Sequence, residues 1–453
     1  MEHSEKLLLR SSPSEDVTPE MGIILGQALA IYYDKVVVGR DLMQSSPMMK
    51  NALVSGLVSS GTDVIDIGEV SEPVAGLAAS MGDCCVYVTE FRQQDLMSGY
   101  LLIEKDGSFF SMDQVRRLDR IFEVGRKRPP FKELGTVKRY YNAINDYNMR
   151  LMALSRSATG GSLVLDCNCG LGTDSAPQIL NKIGTDIISI NAQKDSEFIS
   201  NPLSTKEADT RHMKALVLAS PGSTGISMNR VGTMMRVFDE TGEPITDEQL
   251  LCLFILYLKP KKVVVPMDVT WLIEDVFRGK VTVEVDSPFP DPDPEQMEFV
   301  VANPSVGPIH RMLVEKDADL TYYQGGFVFK GISWSPDAIM GSVLLSQFSS
   351  SNNMSEVLSK LPTYFSEKKT FRFSCSQADF ARMMDANLPD INPMAVYEDK
   401  CWRVDMASGG FFVAFDKDQE DVVNIFAESN DKLYLISLLE VIDGLMEKCE
   451  AGQ

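Results

Sequence analysis

Short apolar runs, each followed by a stretch of helical spacing and then a second apolar run, recur along this chain. Val36-Val37-Val38-Gly39-Arg40-Asp41 reads as a buried strand running into a loop, with a helix near 48–60 behind it. Gly61-Thr62-Asp63-Val64-Ile65-Asp66-Ile67 supplies the next strand. The same order returns as Leu163-Val164-Leu165-Asp166, a helix near 174–183, and Gly184-Thr185-Asp186-Ile187-Ile188-Ser189-Ile190. A weaker third copy runs Val263-Val264-Val265-Pro266-Met267-Asp268, a helix at Trp271–Phe277, and Gly279-Lys280-Val281-Thr282-Val283-Glu284-Val285 as its second strand. Strand, helix and strand of this length make a βαβ crossover, so three copies predict three similar α/β domains in series.

Punctuation sets the boundaries. The run 155–162, S-R-S-A-T-G-G-S, reads as a linker, and Lys259-Pro260 ends the apolar helix 250–258. The proline-rich run 286–294 is a stiff loop inside the third copy. Beyond 366–369 the pattern changes: strand-like runs at 371–374, 402–404, 411–415 and 422–427 precede a helix over about 432–448. That is an α+β domain of another kind. The expectation is a four-domain α/β architecture over 1–155, 156–259, 260–366 and 367–453. Within the first domain, strand 86–89 is followed by a polar stretch expected to be an exposed loop, then by a second apolar run after Ser98-Gly99. Loops on a rigid scaffold carry chemistry, so this one is the first candidate site.

Composition narrows the function. The 453 residues carry a net charge of −21 and a pI near 4.6, which argues against binding to a phosphate backbone. The longest apolar run, 250–258, is far short of a membrane span, and the first ten residues hold no apolar core of a signal peptide. Eight cysteines in so long a chain are no disulfide framework, so a cytoplasmic location is expected, with neither nucleic acid nor membrane as partner.

The segment V-V-V-G-R-D, Ser45-Ser46-Pro47 and N-A-L-V-S-G-L-V-S-S-G-T-D-V-I-D-I-G, together with 86–102, resembles the α-D-phosphohexomutases, which include phosphoglucomutase and phosphomannomutase. The resemblance extends over essentially the whole chain and implies three repeated α/β domains plus a smaller fourth. It also implies four active-site loops, and each of them departs from the family pattern here. Thr89 and Gly99 fit the phosphoserine loop, yet Phe91 takes the serine position, Arg92 the histidine and Gln94 the proline. Met43 stands where the family has the second arginine of G-R-D-T-R, while Arg40 is kept. The metal loop D-G-D-A-D-R matches 219–230 in two registers. Its aspartate positions then carry Pro221, Ser223 and Gly225, or Gly225, Ser227 and Asn229. Neither register gives a carboxylate for the Mg²⁺ of active members, so no metal or other cofactor is expected.

In the sugar-binding loop, Tyr323 replaces glutamate, Gly325 serine and Phe327 histidine, with Gln324 between them. Asp337 keeps an aspartate that the family often has before the next helix. The phosphate loop becomes Phe415-Asp416-Lys417-Asp418-Gln419-Glu420-Asp421, whose carboxylates would repel a phosphosugar. Cys167, Cys169 and the pair Cys84-Cys85 do not complete a zinc set and read as buried thiols.

The resemblance with its losses implies a catalytically inactive homologue that binds, assembles or regulates. The alternative is an enzyme with residual or altered sugar-phosphate chemistry, an intramolecular phosphotransferase. Arg40, Phe91, Arg92, Tyr323, Gln324, Phe327, Phe415 and Lys417 are the candidate ligand contacts of the altered cleft. Phe91, Phe327 and Phe415 are expected either to plug the cleft or to line a pocket for a less polar ligand. A protein partner, or self-association through about 1–155, is the expected use of the retained fold.

Overall fold

The computed structural model describes residues 2–3, 8–10, 18–92, 96–122, 129–155, 160–198, 207–323, 325–391, 396–398, 401–416 and 419–451. It gives the backbone alone at 2–3, 8–10, 90–92, 96–98, 122, 207–209, 389–391, 396–398 and 450–451. Four sheets follow one another along the chain. The first contains β1 (Glu2–His3), β2 (Leu8–Arg10), β3 (Lys35–Arg40), β4 (Asp63–Glu69), β5 (Cys84–Arg92), β6 (Leu96–Glu104) and β7 (Val137–Arg139), ordered β1-β2-β6-β5-β3-β4-β7. Its helices are α1 (Pro19–Leu29), α2 (Ser46–Val58), α3 (Glu72–Ala78), α4 (Met112–Phe122) and α5 (Ala143–Leu154).

The second sheet holds β8 (Ser162–Asp166), β9 (Asp186–Ile190), β10 (Ser223–Met228), β11 (Met235–Phe238) and β12 (Pro244–Ile245), ordered β12-β11-β10-β8-β9. It carries α6 (Ala176–Lys182), α7 (Glu207–Ala219) and α8 (Asp247–Leu258). The third has β13 (Lys262–Pro266), β14 (Glu298–Ala302), β15 (Leu320–Tyr323) and β16 (Gly326–Phe329), ordered β14-β13-β15-β16. Its helices are α9 (Trp271–Phe277), α10 (Val306–Lys316), α11 (Ala338–Ser349) and α12 (Met354–Ser359). The last has β17 (Phe365–Arg372), β18 (Val396–Glu398), β19 (Cys401–Met406), β20 (Gly409–Phe415) and β21 (Val422–Ser429), with α13 (Gln377–Ile391) and α14 (Lys432–Ala451).

The repeat is real at the level of hydrogen bonding. In each of the first three sheets the opening apolar strand (β3, β8 or β13) is parallel to a strand on either side, and one neighbour turns back as an antiparallel hairpin. The opening strands are buried on both faces, which is why they read as continuous Val and Leu runs. Two expectations fail. Val281-Thr282-Val283-Glu284-Val285 alternates like a strand but pairs with nothing; the third copy's second strand is β14, beyond the proline loop. The alternation is spent on a shelf, where these valines and Ile255, Val276 and Phe277 line the same cavity under α8 and α9. In the fourth sheet, β17 begins at Phe365 rather than at 371, because F-S-E-K-K-T-F-R is an edge strand whose polar residues face water.

One contiguous apolar core runs through the first three sheets, from Leu25 to Val357, whereas the fourth sheet and its helices close around their own. Close packing of α1 on α2 depends on glycine. A Cβ on Gly56 would lie 2.1 Å from the Ile23 carbonyl oxygen, and one on Gly26 would lie 2.5 Å from that of Leu53. Among the described residues no helix is long and apolar enough to cross a membrane.

The fourth sheet is fastened to the third by a buried polar clamp. Arg403, fully buried, donates through Nη1 to the carbonyls of Met267 (2.8 Å) and Val269 (3.0 Å) and lies 4.0 Å over the Trp271 ring. Its Nε bonds Asp405 at 3.0 Å, and the Trp271 indole N–H reaches the same carboxylate at 2.6 Å. Glu428 accepts from the Thr270 hydroxyl and the Trp271 N–H, both at 2.7 Å. Met267, Trp271, Cys401 and Phe412 pack together around it.

Candidate functional site

The three repeat hairpins join β5 to β6, β10 to β11 and β15 to β16, and the connection described throughout is the second, 229–234. The first departs from expectation. No exposed loop opens at Thr89; the ladder continues through Thr89↔Gly99, Glu90↔Ser98, Phe91↔Met97 and Arg92↔Leu96. E-F-R-Q-Q-D-L-M contains neither Pro nor Gly to break pairing, and Gln94 stands where a proline would. The side chains of Phe91 and Arg92 lie outside the described residues.

The second hairpin turn is the junction of three domains. Glu72 N–H at the start of α3 donates to Val231 O at 3.0 Å, and Ala338 N–H at the start of α11 donates to Gly232 O at 3.0 Å. Met234 forms an antiparallel bridge with Gly326 of the third hairpin. The topology also corrects the metal-loop register. Pro221 precedes β10, and Ser223, Gly225 and Ser227 lie within that wholly buried strand, where no loop exists. The phosphoserine-like and sugar-like stretches both lie on such hairpins, and the six-residue motif can be laid on the connection of the second, Asn229-Arg230-Val231-Gly232-Thr233-Met234. The aspartate positions of D-G-D-A-D-R then carry Asn229, Val231 and Thr233. Asn229 Oδ1 accepts from the N–H groups of Thr233 (2.8 Å) and Met234 (3.1 Å), and its Nδ2 donates to Thr233 Oγ1 at 2.9 Å. A neutral amide and a hydroxyl already bonded to each other do not fit a hard divalent ion such as Mg²⁺.

Facing this turn are charges drawn from two domains. Arg40, at the carboxyl end of β3, pairs with Glu69 at 2.9 Å and donates to the Asp41 carbonyl at 2.7 Å. Lys194 bridges Glu69 (3.0 Å) and Asp174 (3.2 Å), and Arg230 Nη2 donates to the Asp195 carbonyl at 2.6 Å. Hydrogen bonds to the two carboxylates raise the Lys194 pKa against the opposing effect of burial, the largest single influence. An incoming anion would have to compete with Glu69 and Asp174 for both cations. Asp41 is buried and structural: it accepts from the Thr89 hydroxyl at 2.8 Å, from Met43 N–H at 3.0 Å, and from the Ser46 hydroxyl. Thr89 therefore anchors the hairpin base.

The aromatic candidates do not converge. Tyr323 is buried and its hydroxyl meets His310 Nε2, with Phe109 stacked on the imidazole at 4.3 Å. Burial holds His310 neutral, its pKa pushed down to about 3. Phe327 lies in an aromatic cluster with Phe254, Phe329 and Tyr322 in the common core, and Phe415 packs on Phe373, Phe380 and Trp402 in the fourth domain's core. Phe327 and Phe415 thus lie in two separate cores. Both belong to strands whose inward positions had to be apolar. Gln324 and Lys417 lie outside the described residues. Asp337 caps α11, its Oδ1 accepting from Met340 N–H at 2.8 Å, and the Tyr147 hydroxyl lies 2.8 Å from both carboxylate oxygens. Cys84, Cys85, Cys167 and Cys169 are free and buried, and burial pushes the Cys167 thiol up to about 12. Glu69, Asp174 and Lys194 escaped sequence reading because their partners come from different domains, and no local spacing announces that.

Comparison with known proteins gives consistent matches. The sequence profile of phosphoglucomutase/phosphomannomutase α/β/α domain I matches residues 9–128. A "probable phosphoglucosamine mutase" of Methanosarcina acetivorans is 27% identical over 433 residues, covering 94% of each chain. Its counterpart from Methanococcoides burtonii is 26% identical, over 88% of this chain and 91% of its own. Among solved structures, a phosphoglucomutase/phosphomannomutase family protein from Burkholderia thailandensis superposes with a TM-score of 0.76 at 19% identity, over 98% of both chains. Parafusin, a phosphoglucomutase from Paramecium, superposes in its open form with a TM-score of 0.62 at 10% identity, over 95% of this chain and 91% of its own.

Proposed function

Because this chain belongs to the α-D-phosphohexomutase family, we propose that it keeps the family's frame as a binding, assembly or regulatory protein and does not turn over a hexose phosphate. Phosphoryl transfer is almost wholly positioning and charge stabilisation, and it needs an acceptor on the protein if the phosphoryl group is to be handed back. The observation that carries the reading is the junction turn Asn229-Arg230-Val231-Gly232-Thr233-Met234. It stands between three domains, holds no carboxylate, and spends its Asn229 and Thr233 side chains on its own closure. Phe91 at the family's serine position and the neutralised Arg40 and Lys194 support it further. We place the protein in the cytosol, in keeping with eight free cysteines, seven of them buried. Its working surface is a protein contact within about 1–155.

A second reading is favoured by the relatives, whose similarity covers 94% of both chains: an intramolecular phosphotransferase with altered sugar-phosphate chemistry. One experiment separates the two. The purified protein is given glucosamine 1-phosphate, glucose 1-phosphate or mannose 1-phosphate, a bisphosphate activator and Mg²⁺. Product and phosphopeptides are then followed by NMR and mass spectrometry. The first reading expects no turnover and no phosphorylated residue within 89–98. Turnover that disappears when a residue of that stretch is substituted would establish the second. Phe91→Ser alone should not create activity, since the junction turn still lacks carboxylates.

A further inference from the structure

In a chain of net charge −21, the stretch from Arg126 to Arg139 holds six basic residues and a single acidic one, Glu133. Its described part, 129–142, runs along the outer edge of the first sheet. Almost every residue there is exposed, including Lys132, Lys138 and Arg139. Lys132 and Lys138 have no ion-pair partner among the described residues, while the neighbouring carboxylates are engaged. Asp63 accepts from Thr136, and Asp146 from the Tyr140 hydroxyl. Large apolar side chains stand out between the cations: Phe131 is 87% exposed, Tyr141 82%, Val137 49% and Leu134 38%.

The strip is also fixed in place, so exposure here is not slackness. Gly135 N–H bonds Val58 O at 3.0 Å, Val64 N–H bonds Thr136 O at 2.8 Å, and Tyr140 N–H bonds Asp66 O at 2.8 Å. Gly135 is needed for this approach, because a Cβ there would lie 2.0 Å from the Thr62 carbonyl oxygen. Among the described residues β7 is the last strand of its sheet and pairs with β4 alone, through Val64↔Val137 and Asp66↔Arg139. Thr136 and Tyr140 bond toward β4, so by strand alternation the N–H and C=O groups of Val137 and Arg139 face away from the sheet. Unpaired N–H and C=O groups on an edge are a template for a foreign strand, and lysines beside them turn away a cationic strand while admitting an acidic one.

We propose that β7 is a docking edge for an extended acidic segment of another protein, which would add as an outer strand. Side chains alternate along β7, so the segment's carboxylates would meet Lys138 on one face and its apolar residues would lie on Val137 on the other, with Phe131 and Tyr141 at the ends of the strip. Charge selects the occupant. Outside the 126–139 stretch the chain carries −26, since −21 less the stretch's +5 leaves that value. A long polyanion such as duplex or single-stranded nucleic acid would run off the strip into this field and be repelled. A short acidic strand ends where the strip ends. The proposal does not depend on what the junction turn binds, and its test leaves that turn untouched.

The test uses the full chain and two fluorescent nonapeptides in which Glu or Asp alternates with Val or Tyr, one of them N-methylated at every second amide. Anisotropy titration should show saturable binding of the unmodified peptide. Affinity should fall about tenfold or more between about 50 and about 300 mM salt, with Lys138→Glu/Arg139→Glu, and with the N-methylated peptide. Val137→Pro removes an outward N–H without touching the bonds to β4, and it should weaken binding to a similar degree at an unchanged unfolding temperature. Equal binding of the N-methylated peptide, or full binding by Val137→Pro, overturns the strand-addition geometry. Preferential binding of an oligonucleotide, or no peptide binding at low salt, overturns the proposal.

Discussion

Asp337 offers the sharpest test of the packing between the first and third domains. Its carboxyl is buried, caps α11, and is bonded by the hydroxyl of Tyr147 from α5. Burial is the largest influence on it and raises its pKa from 3.8 to about 6, even though Met340 N–H and the Tyr147 hydroxyl pull the other way. A folded pKa above the unfolded one means that folding takes up a proton. The stability this contributes is complete below about 3.8 and is lost as pH rises through about 6. The whole span is about 3 kcal/mol, of which roughly 1 kcal/mol falls between pH 5 and pH 8. Asp337→Asn mimics the neutral acid and is still a good helix cap, so it should abolish this slope. Relative to the unsubstituted protein, the variant should therefore gain about 1 kcal/mol of stability between pH 5 and pH 8. The assay is denaturant unfolding of both proteins across that range, followed through the transition of the three domains that share one core. A difference that stays constant with pH, or that moves against the variant as pH rises, would refute the reasoning.

Three further outcomes follow from the packing. Arg403→Ala should strip the Met267 and Val269 carbonyls of their donor and leave Glu428 without a nearby cation, costing about 3 kcal/mol; hydrogen exchange should rise in β20, β21 and 267–271 and stay unchanged in the first sheet. Phe327→Ala should lower the stability of the shared core by about 3 to 5 kcal/mol, measured by denaturant unfolding. Gly56→Ala drives a methyl against the Ile23 carbonyl and should cost more than the ~1 kcal/mol by which alanine ordinarily favours a helix over glycine, so the melting temperature should fall rather than rise.

Much of this architecture could be read before any coordinates. The V-V-V-G-R-D and L-V-L-D runs declared buried parallel strands because nothing polar interrupts them, and Gly61 and Gly184 both take positive φ where their helices hand over to the next strand. Val281 to Val285 misled because alternation records which residues are buried and does not say whether a neighbour donates hydrogen bonds. β17 hid for the opposite reason, as an edge strand with a wet face. At the candidate site, Arg40 and Thr89 were visible as retained residues. The junction turn was misplaced because a motif stripped of its aspartates offers only glycine and arginine as anchors: Gly222 lies before β10, and Arg230 stands second in the turn where the motif has its arginine last. What located it was the hairpin shared by the three sheets, a property of pairing that the side chains do not spell out.

The fourth domain's separate core has a consequence for how the molecule is made. The first three sheets share their apolar interior, so none of them is complete until the strand-rich segment near 320–329 and α11 have been synthesised. The last segment, by contrast, consists of neighbouring antiparallel strands and can organise by itself once it leaves the ribosome. Until it does, Trp271 and the carbonyls of Met267 and Val269 stand in water. Arg403 and Glu428 must both shed their hydration in one late docking event. A nascent chain can therefore close its shared core before the fourth domain docks, and the clamp is what joins the two.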